Sequence, residues 1–117
     1  MMYEDFQRAR NYFDAKDYAT AARLLAPIVA DVPGDRAAVE LLARAYFHSA
    51  QLAPAERTLR RLVELDPSDG WAHEALARTL ERQSRHAEAR PFRALADAMG
   101  VTPAAQVDVS LTAADLA

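Results

Sequence analysis

Three arginines stand 34 residues apart, at Arg10, Arg44 and Arg78, and large aromatic rings recur around them at Tyr3, Phe6, Phe13, Phe47 and Trp71. These residue types suit recognition rather than covalent chemistry. A guanidinium donates paired hydrogen bonds to a carboxylate, and rings bury large areas against apolar side chains. Together they dominate the energetic centres of protein interfaces. The other reactive side chains form no constellation. His48, His73 and His86 show no ligand spacing, and His73 reads as a packed or hydrogen-bonded histidine. Ser49, Ser68, Ser84 and Ser110 fall at helix ends or in loops without an obvious base. With no cysteine there is no thiolate metal site, thiol nucleophile or disulfide. No glycine-rich phosphate loop is present. Arg57, Arg60 and Arg61 cluster beside Glu56 and Glu64, which reads as a solvated outer face rather than a phosphate site. The expectation is a non-enzyme without cofactor or metal.

The elements that must position the arginines and rings are helices. Val39, Leu42, Ala43 and Tyr46 share one face at 100° per residue. Ala37, Glu40, Arg44, Phe47 and His48 point roughly the other way. The matching positions are Tyr3, Phe6, Arg10, Phe13 and Asp14 in the first helix, and Trp71, Glu74, Arg78, Glu81 and Arg82 in the fifth. Adjacent helices also pack sideways, so Phe13 and Phe47 have a competing use as fillers of inter-helix seams. Glu40–Arg44 and Glu74–Arg78 are spaced as i,i+4 ion pairs, whereas Arg10 has no glutamate one turn before it.

The pattern predicts six helices, near 3–15, 18–31, 36–49, 52–65, 70–83 and 86–99. Asp17, Asp35 and either Ser68 or Asp69 are placed to cap helix starts. Gly34 suggests a left-handed residue after the second helix, and Gly100 a stop after the sixth. Pro27 lies inside the second helix, where a kink is expected; Pro54 falls in a harmless first turn; Pro91 suggests a delayed start near Glu88 for the sixth. Leu42, Tyr46, Leu59 and Leu62 are expected to be the most buried. From Val101 onward the period is lost, and 101–117 reads as an extended or disordered tail. Val107, Val109 and Leu111 alternate with polar residues there, so the tail has a second reading as a strap across an aromatic surface.

The repeat is explicit. Ala9, Ala43 and Ala77 stand in strict register, as do Ala21, Ala55 and Ala89, and Pro33 with Pro67. A fixed period over residues 2–100 means stacked helix pairs, about 2–35, 36–69 and 70–100. One pair alone buries too little to offset roughly 1–2 kcal/mol of backbone entropy per residue, so the pairs must lean on one another. In the third repeat Arg93 takes the slot of Leu25 and Leu59, which suits a terminal helix.

Leu42-Ala43-x-x-Tyr46, Ala55-x-x-x-Leu59 and Asp66-Pro67 at this spacing resemble the tetratricopeptide repeat. The resemblance implies an all-α α-solenoid of three antiparallel helix pairs in a right-handed superhelix, followed by the short tail. It implies that the first helix of each pair lines a concave groove that holds peptides or partner proteins. Some relatives grip a carboxylate with a lysine–asparagine clamp; Phe6, Arg10, Arg44, Glu74 and Arg78 do not reproduce it. The groove residues expected here are Tyr3, Phe6, Arg10, Phe13, Arg44, Phe47, Trp71 and Arg78.

Composition narrows the partner. The chain of 117 residues is 51% hydrophobic and 26% charged, with a net charge of −3. That balance offers no bulk positive field for nucleic acid or an anionic membrane. No basic or apolar N-terminal leader and no run of about 20 apolar residues is present, so the expectation is a cytoplasmic protein off the membrane. The partner expected is a protein or peptide. Self-association through the tail or the last helix, and service as a regulatory subunit of an enzyme or nucleic-acid complex, are the alternatives.

Overall fold

A computed structural model describes residues 3–101. The expectations for residues 102–117, including the strap, lie outside the described residues. Six helices follow in order: α1 Tyr3–Asp14, α2 Tyr18–Asp31, α3 Arg36–His48, α4 Leu52–Leu65, α5 Gly70–Arg82 and α6 His86–Ala98. They form three antiparallel pairs in an all-α stack, with no strand among the described residues.

The local sequence accounts for each boundary. Asp17, Asp35 and Asp69 accept the amides of Thr20, Ala38 and Ala72, three residues on, and so satisfy otherwise free donors at helix starts. Asp69, not Ser68, is the cap of α5. The turns inside the pairs close without glycine. Lys16, Ala50 and Ser84 take left-handed φ values of 67°, 58° and 61°, again 34 residues apart. The next residue's amide then reaches back to the helix: Asp17 to Tyr12, Gln51 to Tyr46, Arg85 to Leu80. That is the Schellman closure of a helix end. Gly100 closes α6 in the same way, and Gly34 is not among the left-handed residues. Helix α2 runs unbroken through Pro27. Helix α6 begins at His86 and carries Pro91 inside it, so the later start expected from that proline does not occur.

Two apolar clusters run along the stack. Ala9, Ala21, Leu25, Ile28, Leu41 and Leu42 join the first two pairs. Val39, Leu59, Leu62, Leu76 and Leu80 join the second and third. Tyr46 touches both clusters but is only half-buried, because it lies where they meet rather than inside either. Polar contacts tie the repeats together at the edges. Arg36 at the start of α3 reaches Asp66 at 2.8 Å and Asp69 at 3.5 Å in the turn before α5. The hydrogen bond to Asp66, then the charge of Glu40, holds the Arg36 pKa above its ordinary value. Val101 lies over Gly70, where a Cβ would come within 2.5 Å of its side chain, so a larger residue at the start of α5 would force Val101 to shift.

Candidate functional site: the face of the first helices

Helices α1, α3 and α5 carry the expected residues, and their side chains fall into two situations, exposed or half-buried, with Arg44 and Arg78 among the half-buried. Tyr3 is open to solvent, 74% exposed. Arg10 is exposed on α1. Phe6, Phe13, Phe47 and Trp71 are half-buried and pack against the two apolar clusters. The rings therefore fill seams between helices while leaving part of each ring at the surface. Helical projection placed them opposite the core, but neighbours pack from the side, and that lateral arc claims them.

The rings form a chain. Phe13 meets Tyr18 edge-on at 5.1 Å, and both lie near His48, at 6.1 and 4.9 Å. His48 abuts Phe47 at 5.7 Å, and Phe47 meets Trp71 edge-on at 5.9 Å. Two guanidiniums sit on this chain: Arg44 lies 3.9 Å from the Trp71 ring centre and Arg82 5.2 Å from that of Phe47. Such contacts are favourable because the ring face is electron-rich. Burial, and then the positive charge of Arg44, push the His48 pKa below its ordinary value. Tyr18 belongs to this group and was missed, because it opens α2 rather than lying on a first helix. Its signal was its place directly after the cap Asp17.

The charges sort differently from the spacing. Glu40 pairs with Arg44 at 3.0 Å and with Arg36 at 2.8 Å. The expected Glu74–Arg78 pair does not form. Glu74 is buried and is taken instead by Arg93 of α6, which also holds Glu81 at 2.9 Å. Arg93 reaches both glutamates from the inward slot that leucine fills in the other two pairs. Arg10 and Arg78 make no ion pair among the described residues. His73 bonds the Pro67 carbonyl at 2.9 Å through Nε2 and stacks near Phe92, a structural use. No group of three His, Asp or Glu side chains among the described residues is arranged to hold a metal. No helix among them is long and apolar enough to cross a membrane.

One hollow of about 180 Å³ opens on this face between α1 and α3, lined by Arg10, Phe13, Asp14, Ala37, Glu40, Leu41 and Arg44. It gathers Arg10, Phe13 and Arg44 of the expected set. Phe47 and Trp71 meet at the next seam, and Tyr3, Phe6 and Arg78 do not line the hollow.

Comparison with known proteins agrees with this architecture. A family model for the tetratricopeptide repeat matches residues 12–79. No curated protein matches the chain. Among solved structures, a variant of MamA superposes with a TM-score of 0.78 at 23% identity, covering 82% of this chain and 53% of that one. MamA from Desulfovibrio magneticus RS-1 gives 0.72 at 24% identity, covering 90% and 57%. The chain thus spans a little over half the length of these MamA structures, and at such identities the likeness concerns the fold.

Proposed function

The chain belongs to the tetratricopeptide repeat family, and on that premise we propose that it is a non-catalytic adaptor that holds a segment of a partner protein. The segment lies along the concave groove formed by α1, α3 and α5. The family supports a role in protein interaction generally. The observation that carries the groove reading is the pairing of half-exposed rings with unengaged cations. Arg10 and Phe13 line one hollow, Arg44 lies over Trp71 beside Phe47, and Arg10 and Arg78 form no ion pair among the described residues. A segment with apolar anchors and one or two carboxylates fits that surface. The rings supply buried area, and the arginines supply direction and specificity.

The test is affinity purification of the partner followed by reconstitution of the pair and measurement of its Kd. Arg10→Glu/Arg78→Glu is expected to weaken binding at least about tenfold, or roughly 1.4 kcal/mol, with thermal stability unchanged. Equal affinity for both proteins would remove the groove from consideration.

A second reading rests on a different surface. Leu95 of α6 is 44% exposed and Met99, just past its end, 39%, which leaves apolar area for another chain to cover. This favours a scaffold built by self-association through the terminal helix. Light scattering after size-exclusion separates the two: a monomer at all concentrations supports the adaptor, and a concentration-dependent oligomer lost in Leu95→Lys/Met99→Lys supports the scaffold.

A further inference from the structure

The 34-residue period makes each seam between first helices the counterpart of the other, and one of the positions at which they differ carries a large ring in one copy and a methyl group in the other. At the α3–α5 seam, Arg44 lies over the Trp71 indole at 3.9 Å and Phe47 meets it edge-on at 5.9 Å. One repeat earlier, Arg44 becomes Arg10, Phe47 becomes Phe13, and Trp71 becomes Ala37. The cation and the edge-on ring are thus both present at the α1–α3 seam, but the indole they would hold is replaced by a methyl group. The hollow of about 180 Å³ opens there, with Arg10, Phe13 and Ala37 in its wall. A cavity of about 150 Å³ accommodates benzene, so this one has room for a single ring system.

We propose that the α1–α3 hollow is a socket for one aromatic side chain, best an indole, presented by a partner polypeptide. The ring stacks on Arg10 and meets Phe13 edge-on, as the chain's own Trp71 is held by Arg44 and Phe47. This rests on the groove reading and names the anchor that the partner must bring. Tryptophan suits the site because its face attracts a guanidinium most strongly among the aromatic side chains. Its N–H also needs an acceptor when buried. Asp14 lines the hollow and forms no ion pair among the described residues, whereas Glu40 is already engaged by Arg36 and Arg44. The tail cannot supply the ring, since residues 102–117 contain no Phe, Tyr or Trp.

The experiment titrates the full chain with N-acetyl-tryptophanamide and, in parallel, N-acetyl-leucinamide, following backbone amide shifts by NMR. Saturable shifts are expected at Arg10, Phe13 and Ala37, with the leucine probe at least about tenfold weaker. Ala37→Trp fills the socket from within and should abolish the response while keeping the helical fold. Arg10→Ala should weaken it, and serves if the larger substitution perturbs folding. Trp71→Ala should open a second, equivalent site under Arg44 and shift its neighbours. Equal binding of both probes, or an undiminished response in Ala37→Trp and Arg10→Ala, overturns the socket. So does a dimer that Tyr3→Ala and Ala37→Trp both dissociate, because the ring would then come from a second copy. If Arg10→Glu/Arg78→Glu weakens the partner while Ala37→Trp leaves its affinity unchanged, the groove reading stands and the socket alone fails. If neither variant affects the partner, both fail.

Discussion

Arg93 shows how one side chain can be written against its own repeat. Its slot holds leucine in the other two pairs, Leu25 and Leu59, both fully buried. Here the inward position is answered by Glu74, whose side chain is only 5% exposed, and by Glu81 at 36%. Burial works against the Arg93 charge, yet hydrogen bonding to Glu81 and the charges of both glutamates outweigh it and raise the pKa. Restoring the repeat's own residue should therefore harm the protein. In Arg93→Leu, the buried Glu74 loses its counterion. Removing one partner of a buried pair costs about 3–5 kcal/mol. Because Arg93 itself is 26% exposed, the expected loss is nearer the lower figure. The double variant Glu74→Gln/Arg93→Leu should recover more than half of it. Urea unfolding of the two variants measures this, and equal losses would show that the packing of Arg93, not the pairing, matters. This substitution was legible in the sequence as a departure from the period. Its partner was not, because i,i+4 spacing favoured Arg78 and nothing local reveals a contact between different helices.

At the scale of the element, the turns inside the pairs depend on a backbone conformation that their side chains oppose. Lys16, Ala50 and Ser84 are left-handed without being glycine. A Cβ in that conformation costs roughly 1–2 kcal/mol, and glycine removes the cost at the expense of some unfolded-chain entropy. Ala50→Gly is expected to raise stability by about 0.5–1 kcal/mol, and the β-branched Ala50→Val to lower it by about 1 kcal/mol or more. Denaturant midpoints at constant slope give the check. The same elements show what a sequence can and cannot reveal. Helix ends fell within one or two residues because aspartate caps and apolar periodicity are local signals. The left-handed turns were missed because glycine, the usual marker, is absent from all three. The site divides in the same way. Angular projection found which helices carry the arginines and rings. It could not find that Phe13 and Phe47 sit in lateral seams, since the direction of neighbouring helices is a property of the stack.

Across the whole molecule, the two ends of the stack are unequally anchored. Among the largest fully buried side chains, Val39, Leu59, Leu62, Leu76, Thr79 and Leu80 come from α3, α4 and α5, and only Leu25 comes from the first pair. Helix α1 has a single buried residue, Ala9, while its Phe6, Tyr12 and Phe13 are half-buried. In a stacked array each pair is held mainly by its neighbour, so the pair with the smaller shared core opens at lower free energy. Native-state hydrogen exchange should therefore show α1 and α2 losing protection first, with α4 and α5 exchanging only on global unfolding. Truncation of Leu62 should cost about 2–5 kcal/mol and lower protection throughout. Truncation of Leu25 should act chiefly on the first pair. Uniform protection across the six helices would contradict this. The asymmetry bears on binding, because the weaker end carries Arg10 and Phe13. A segment bridging α1 and α3 stabilises the closed arrangement of those helices by mass action. Ligand-induced protection should thus be concentrated in α1 and α2 rather than spread over the array. A partner docked on the outer face of α6 would instead protect the third pair, so one exchange map distinguishes the groove from the terminal helix as the working surface.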